Sequence, residues 1–425
     1  MTVKATVLSA TDLVSLISDR HLYIWGASIV GSGTCRALER SGFPPVAFID
    51  SSLRFNGKTS MGYQVLTPSE VLDIPNKREN AFIIIASGHY EAEIAGLCTA
   101  SGMQPGKDFM SARELSPLDP SVDISGLCNL RCVSCPRGNY EEQPPRGFMS
   151  AITYKQVLEK LLRELPFMGN IQLYAWGEPL LNPEIADIVR ITIERGVLCA
   201  ISTNLNLLKN LDEVIRARPD WIKVSASGFG PSYETTHTGG NWKLFLSNLK
   251  QLSKLKHQLH PEMYVEINYH LYKHNLGDEY RQMADLCKDL GFVFRPNWAY
   301  LYPLDKVMDY CEGRELGVEA QRTLELLKLP IDEGLARARL QAHLPCAEER
   351  CFPISWDLSV RSCGAYFWPT VSNNFLEETL ESILDHREKS GICNHCRKHA
   401  LHRFTSVYVE ETIPPTSAGA TKGTN

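Results

Sequence analysis

Ser125-Gly126-Leu127-Cys128-Asn129-Leu130-Arg131-Cys132-Val133-Ser134-Cys135 sets three cysteines in C-x3-C-x2-C spacing directly after a short strand pattern at 121–124. Three thiolates can hold three irons of a four-iron cluster and leave the fourth iron open, because that iron suits sulfur donors. A zinc site more often shows paired C-x2-C units or nearby histidines. The nearest histidines in the sequence, His89 and His237, are far from this stretch. Arg131 is either a cation beside the cluster or a loop charge.

Outward from the cysteine loop, strand and helix patterns alternate. Strands are expected at 121–124, 171–175, 198–202, 221–225, 264–269 and 292–296, with helices at 154–164, 186–195, 207–216, 242–255 and 279–290. A strand every ~25–45 residues with a helix between fits repeated βα units and a parallel sheet or open barrel. Short motifs stand at the strand ends: Tyr174-Ala175-Trp176-Gly177-Glu178-Pro179 after the second, Ser202-Thr203-Asn204 after the third, and Ser225-Ala226-Ser227-Gly228 after the fourth.

The cysteine loop and these three motifs, in this order and spacing over residues 121–300, resemble the radical S-adenosylmethionine (SAM) superfamily. The resemblance implies a partial (β/α)6 TIM barrel. It also implies a [4Fe–4S] cluster on Cys128, Cys132 and Cys135 whose open iron chelates SAM, and reductive cleavage of SAM to a 5′-deoxyadenosyl radical. Gly177, Glu178 and Pro179 match the G-E-P segment that meets the SAM amino group. Ser202, Asn204, Ser225 and Ser227 match segments reaching its carboxylate and ribose. Two departures matter. Ser134 stands where an aromatic usually lies against adenine, so adenine packing is expected from Tyr140 or an apolar residue after the sixth strand. Ala226-Ser227 replaces the usual x-Asp of the fourth strand.

A second cysteine set follows. Cys351, Cys363, Cys393 and Cys396 supply four thiolates, and Cys346 is a spare or an added ligand. Taken alone, the set fits a zinc ribbon or an iron–sulfur cluster equally. The hairpin pattern from Cys351 to Cys363 resembles the twitch or SPASM extension of radical SAM enzymes, with Asp357-Leu358 where that family has Asp-Gly. The resemblance implies one auxiliary [4Fe–4S] cluster. His395, between two of these cysteines, reads as a solvated loop residue, and His399 and His402 as helix-surface residues. The remaining cysteines, Cys35, Cys98, Cys199, Cys287 and Cys311, read as small buried apolar residues or surface thiols.

The first ~115 residues follow a strand, glycine turn, helix, strand, acid order, with Asp50 placed 24 residues after Gly26. The glycine spacing, G-x4-G-x-G, departs from G-x-G-x-x-G. Both a doubly wound fold that holds a nucleotide or nucleotide-sugar and one that holds none fit. The segment from Gly57 to Pro68 resembles the N-terminal Rossmann-like domains of sugar O-acyltransferases and related enzymes. The expected fold class is therefore α/β: an N-terminal Rossmann-like doubly wound domain (1–115), a partial barrel (116–310, opening on a linker at 116–120) and a small cysteine-rich α+β cap (311–410). A disordered tail (411–425) is expected to follow.

Lys plus Arg number 44 against 49 Asp plus Glu, so a chain-wide basic surface for nucleic acid or anionic lipid is excluded. No apolar run approaches the ~18 residues of a membrane span, and the first residues lack the apolar core of a signal peptide. Thirteen cysteines, an odd number without a secretion signal, argue against a disulfide framework and for a cytoplasmic protein. The resemblance further implies an electron donor such as flavodoxin or ferredoxin. Substrate contacts are sought at the barrel mouth: Trp176, Asn204, Asn206, His237, Asn268, His270, Arg295, Asn297, Trp298 and Tyr300, with Asn268, His270 and Trp298 as catalytic candidates. Three readings follow: an oxidoreductase or epimerase of a sugar-like or nucleotide-linked small molecule, a peptide-modifying radical enzyme, and a zinc-stabilised Rossmann binding protein without catalysis.

Overall fold

The computed structural model describes residues 7–52, 54–55, 57–88, 90–140, 145–346 and 348–407. His89 and the tail at 411–425 lie outside them. The chain divides into two compact units: Met1–Pro120 with Ile152–Gln172 and Arg190–Cys199, and Ser121–Ala151 with Leu173–Val189 and Ala200–Asn425.

The first unit is built on strands β1 (His21–Trp25), β2 (Ala47–Ile49), β3 (Thr59–Ser60), β4 (Tyr63–Leu66), β5 (Ala81–Ile85) and β6 (Phe109–Ser111), ordered β3-β4-β2-β1-β5-β6. Every pair is parallel except the β3–β4 hairpin. Successive residues of a strand point to opposite faces, and here both faces are covered. Leu22, Ile24, Phe48, Phe82 and Ile84 join one core, while Tyr23, Trp25, Ile49, Ile83 and Ile85 join the other. This explains why 81–85 reads as an unbroken apolar run. The helix Ile29–Arg40 ends on Arg40, whose guanidinium donates to the carbonyls of Gly196, Pro166 and Met168 at 2.9, 3.0 and 2.7 Å. Asp50 turns inward. Its carboxylate accepts from the amides of Ala27 and Ser52, each at 2.8 Å.

The second sheet runs β7 (Asp119–Asp123), β8 (Asn170–Gln172), β9 (Leu198–Thr203), β10 (Trp221–Ala226), β11 (Tyr264–Leu271), β12 (Val293–Trp298), β13 (Cys351–Ser355), β14 (Val360–Arg361) and β15 (Thr370–Ser372), ordered β12-β11-β10-β9-β8-β7-β13-β14-β15. The pairs β9–β10, β10–β11 and β11–β12 are parallel, and β13–β14–β15 are antiparallel. All six expected βα strands form within a few residues of their predicted bounds. β8 is three residues long, and past its end the Asp123 carboxylate accepts from the amides of Trp176 and Gly177 at 3.0 and 3.3 Å. The expected linker is no exposed tether. Pro117, Leu118 and Pro120 are buried, and residue 119 already begins β7. Proline at a strand start costs no ladder bond. In the β13–β14 turn Leu358 holds φ 70°, the left-handed conformation that the expected glycine would have adopted freely. Asp357 braces the turn by accepting from Ser359 N and Oγ at 3.1 and 2.7 Å. No helix among the described residues is long and apolar enough to cross a membrane.

Candidate active site

A cavity of about 760 Å³ opens at the C-terminal ends of the parallel strands. Its wall brings together the first cysteine set and most of the strand-end residues singled out from the sequence. Cys128, Cys132 and Cys135 line it with Gly177, Glu178, Ser202, Asn204, Ser225 and Ser227. Pro179 does not reach the wall; it opens the buried turn Pro179–Leu181 that sets Glu178 in place. Gly177 has a steric reason: a Cβ there would lie 1.6 Å from the Ser125 carbonyl oxygen. Asp123, at the end of β7, fixes the same loop through its two amide bonds. It was not foreseen from the sequence, although its place five residues before Cys128 was a signal.

The three thiols are costly to ionise as they stand. Burial pushes Cys128 up to about 12 and Cys135 up to about 11, and raises Cys132 well above the ordinary thiol value. A thiolate here needs positive charge beside it, which metal supplies. Donors already face sulfur: Leu130 N at 3.4 Å and Asn204 Nδ2 at 3.6 Å from Cys128 Sγ. The donor set fits a multi-iron cluster with one side open to the cavity.

Glu178 is 2 % exposed and has no cation beside it in the described structure. Its oxygens accept from Leu180 N at 3.1 Å and Asn204 N at 2.7 Å. Burial outweighs these bonds and lifts its carboxyl to about 7. A carboxylate keeps about four acceptor sites, so room remains for an ammonium group, which would also supply the missing charge.

The surroundings of Ser134 place two aromatics differently. Tyr140 does not line the cavity; its ring lies 5.5 Å from that of Phe367, under the ammonium of Lys306. The cavity-lining aromatic hydrogen-bonded to Ser134 is Tyr272, whose hydroxyl lies 2.9 Å from Ser134 Oγ. Tyr272 follows His270 by two residues and so shares its face of the chain.

Of the remaining mouth candidates, Trp176, His237, His270, Asn297, Trp298 and Tyr300 line the cavity, whereas Asn206, Asn268 and Arg295 do not. Asn206 is buried against Tyr233 Oη at 2.5 Å. Arg295 pairs with Glu266 at 3.6 Å, which Lys223 also approaches at 3.9 Å. Asn268 stands behind His270, 3.3 Å from its Nε2, while Ser227 Oγ lies 3.3 Å from its Nδ1. Desolvation holds His270 down to about 4 and His237 down to about 3, so both rings are neutral near pH 7. His237, remote in sequence, is thus a cavity neighbour of the cysteines. Arg131 is exposed and outside the cavity, which leaves it a loop charge.

The second cysteine set borders the same cavity. Tyr302 and Glu348 line it, and both lie within electrostatic reach of Cys363. The Tyr302 hydroxyl donates to Gly364 O at 3.0 Å, and its ring lies 5.1 Å from Trp176. Cys351 and Cys363 face each other, and a Cβ on Gly364 would sit 2.5 Å from Cys351 Sγ. Cys396 neighbours Cys346 and Cys393 and lies against Tyr366, which also faces Cys363. Cys346 is therefore inside the set. His395 is on the helix Ile392–Lys398 rather than in a loop, and His402 is buried against the Ala342 carbonyl at 3.2 Å instead of lying on a helix surface. Four of the scattered cysteines are buried, and Cys311 is half-buried.

The sequence model of the radical SAM superfamily matches residues 122–287, so the chain carries a radical SAM superfamily domain, with the three-cysteine [4Fe–4S] cluster and SAM that this superfamily implies. The chain is 25% identical over 207 residues to the GTP 3′,8-cyclase of Chlorobaculum tepidum, covering 47% of this chain and 58% of that protein. It is 26% identical over 176 residues to the AdoMet-dependent heme synthase of Methanosarcina barkeri, covering 40% and 47%. It thus spans about half the length of these curated relatives. Among solved structures it is similar to Streptococcus suis SuiB bound to S-adenosylmethionine, at 16% identity and a TM-score of 0.42 over 63% of this chain and 65% of that one.

Proposed function

We propose that this protein cleaves SAM reductively and abstracts hydrogen from a carbohydrate-like or nucleotide-linked small molecule, in a dehydrogenation or epimerisation. One observation carries the reading: three thiols and a buried carboxylate without a counter-cation share a single cavity whose wall also holds serine, asparagine and histidine side chains. When bound, the cluster and SAM together supply an electron to the sulfonium and a 5′-deoxyadenosyl radical that takes a hydrogen atom from substrate.

The chain's own residues position the rest. Cys128, Cys132 and Cys135 hold the cluster. Glu178 accepts the SAM ammonium, Ser202, Asn204, Ser225 and Ser227 meet its carboxylate and ribose, and Tyr272 presents a ring face to adenine. Trp176, Trp298 and Tyr300 exclude water. His270, neutral and oriented by Ser227 and Asn268, takes the proton that leaves when a carbinol radical becomes a carbonyl. Behind Tyr302 and Glu348, Cys351, Cys363, Cys393 and Cys396, with Cys346 adjacent, would hold an auxiliary [4Fe–4S] cluster in a twitch-like cap, and such a cluster would supply an acceptor for the electron lost in that step. A low-potential donor of flavodoxin or ferredoxin type serves the first reduction in the cytoplasm.

The parallel strand order of the first unit, β4-β2-β1-β5-β6, supports a Rossmann-like reading.

Anaerobic reconstitution followed by reduction tests the whole reading. About eight irons per chain, for two four-iron clusters, and 5′-deoxyadenosine release are expected. Zinc in the cysteine sites with no SAM cleavage would refute it. Deuterium passing from a labelled polyol or sugar nucleotide into 5′-deoxyadenosine supports the substrate class; transfer from a labelled peptide instead refutes that part alone.

A further inference from the structure

Apart from both cysteine sets, one group of ligating side chains remains unused by the chemistry above. Glu312 caps the helix Leu304–Cys311, and His395 and His399 lie on and just past the helix Ile392–Lys398. One ligand atom from each falls within 4.8 Å of the other two. His395 Nε2 contacts Glu312 Oε1, and the two imidazole rings are 5.8 Å apart. His399 Nε2 is sealed from solvent and has no hydrogen-bond partner. An imidazole nitrogen hidden without a partner is unfavourable unless something else binds it.

From these contacts we infer a zinc site made by Glu312, His395 and His399, independent of the radical chemistry. The i, i+4 spacing of the histidines brings both rings to one side of the helix. Two imidazoles and a carboxylate are ordinary zinc donors, and a water completes the tetrahedron. Arg314 pairs with the other Glu312 oxygen and with Asp309 at 2.7 Å, which orients the carboxylate as outer-shell partners of metal ligands do. The ion pair His395–Glu312 alone would leave His399 Nε2 unexplained.

The helix then serves two sites. At ~100° per residue, Cys393 and Cys396 centre about 110° around its axis from His395 and His399. Thiols face the second cysteine set, while the imidazoles clip the same helix to the end of Leu304–Cys311. The metal is a structural strap on the element that carries two of the auxiliary thiols.

Elemental analysis and zinc K-edge absorption on the anaerobically reconstituted full chain, dialysed against micromolar zinc, test this. About one zinc per chain is expected, with a first shell of nitrogen and oxygen near ~2.0–2.1 Å. The double variant His395→Ala/His399→Ala should lose that zinc and keep its iron. Glu312→Gln, which leaves both histidines in place, should weaken zinc binding by at least the roughly 10–100-fold seen for outer-shell losses. A sulfur shell near ~2.3 Å would put zinc in the cysteines and overturn the site. No zinc in the wild type, or zinc undiminished in both variants, would overturn it as well. Should the double variant fail to fold, the shell of the wild-type zinc and the Glu312→Gln affinity decide the matter.

Discussion

The two cysteine sets differ in what surrounds them. The first hangs on a loop after a parallel strand, offers three thiols, and faces a cavity with a cation-free acid. The second lies between a hairpin and a short helix, offers four thiols with Cys346 as a fifth, and meets that cavity only across Tyr302 and Glu348. On the proposed function, donor number and outlook separate the tasks: the set one ligand short, with a buried acid beside it, binds and cleaves SAM, and the filled set stores or passes charge. Tyr302, reaching Gly364 from the cavity wall, is the side chain that joins them.

Several measurements would break this contrast. The largest effect is expected at the first set: Cys128→Ala, Cys132→Ala or Cys135→Ala should remove about four irons and reduce SAM cleavage to the reductant-only background, measured as 5′-deoxyadenosine. Cys393→Ala with Cys396→Ala should also remove about four irons, yet preserve part of SAM cleavage while product formation fails. Equal loss of cleavage from both sets would erase the distinction. Next comes Glu178→Gln. Removing hydrogen bonds to a charged group costs about 1.5–3 kcal/mol, or about 10–100-fold in SAM affinity by equilibrium dialysis. Its pH dependence has a definite sign. The carboxyl titrates at about 7, so it is charged above that pH and neutral below. Wild-type affinity should weaken as pH falls from 8 to 6, on the order of tenfold per unit once below the pKa, and the Gln variant should stay flat. The smallest effect is expected from Tyr272→Phe, which removes one hydroxyl contact to Ser134. About 1 kcal/mol, or roughly fivefold in SAM affinity, would follow.

Motifs whose chemistry depends on backbone proximity were legible in the sequence. The cysteine loop, Gly177 and Glu178, and the serines after β10 all converge on one cavity because parallel strands deliver consecutive loops to the same end. Partnerships between distant residues were not legible. Ser134 predicts that an aromatic is missing, but nothing local says that Tyr272 stands beside it, 138 residues away. Tyr140 was nearer in sequence, yet Lys306 and Phe367 hold it elsewhere. Asn268 shares the alternating face of β11 with His270, and a neighbouring Asn297 turned it aside. Asp123 stood in plain view beside the cysteines, but its use as an acceptor for Trp176 and Gly177 depends on how two strand ends approach. The strands of the first unit were readable because both faces of its sheet are buried.

The ladder between β7 and β13 has a further consequence. An open parallel sheet ending at β7 would present a row of unpaired amides and carbonyls, a template for pairing with other chains. The hairpin that begins at Cys351 occupies that row, and its Trp356 ring fills the space over Gly126 and Gly147, where Cβ atoms would come within 2.2 and 2.1 Å. The cap is therefore also a guard against self-association. Truncation before 351 would yield a sticky, aggregation-prone fragment rather than a smaller catalyst.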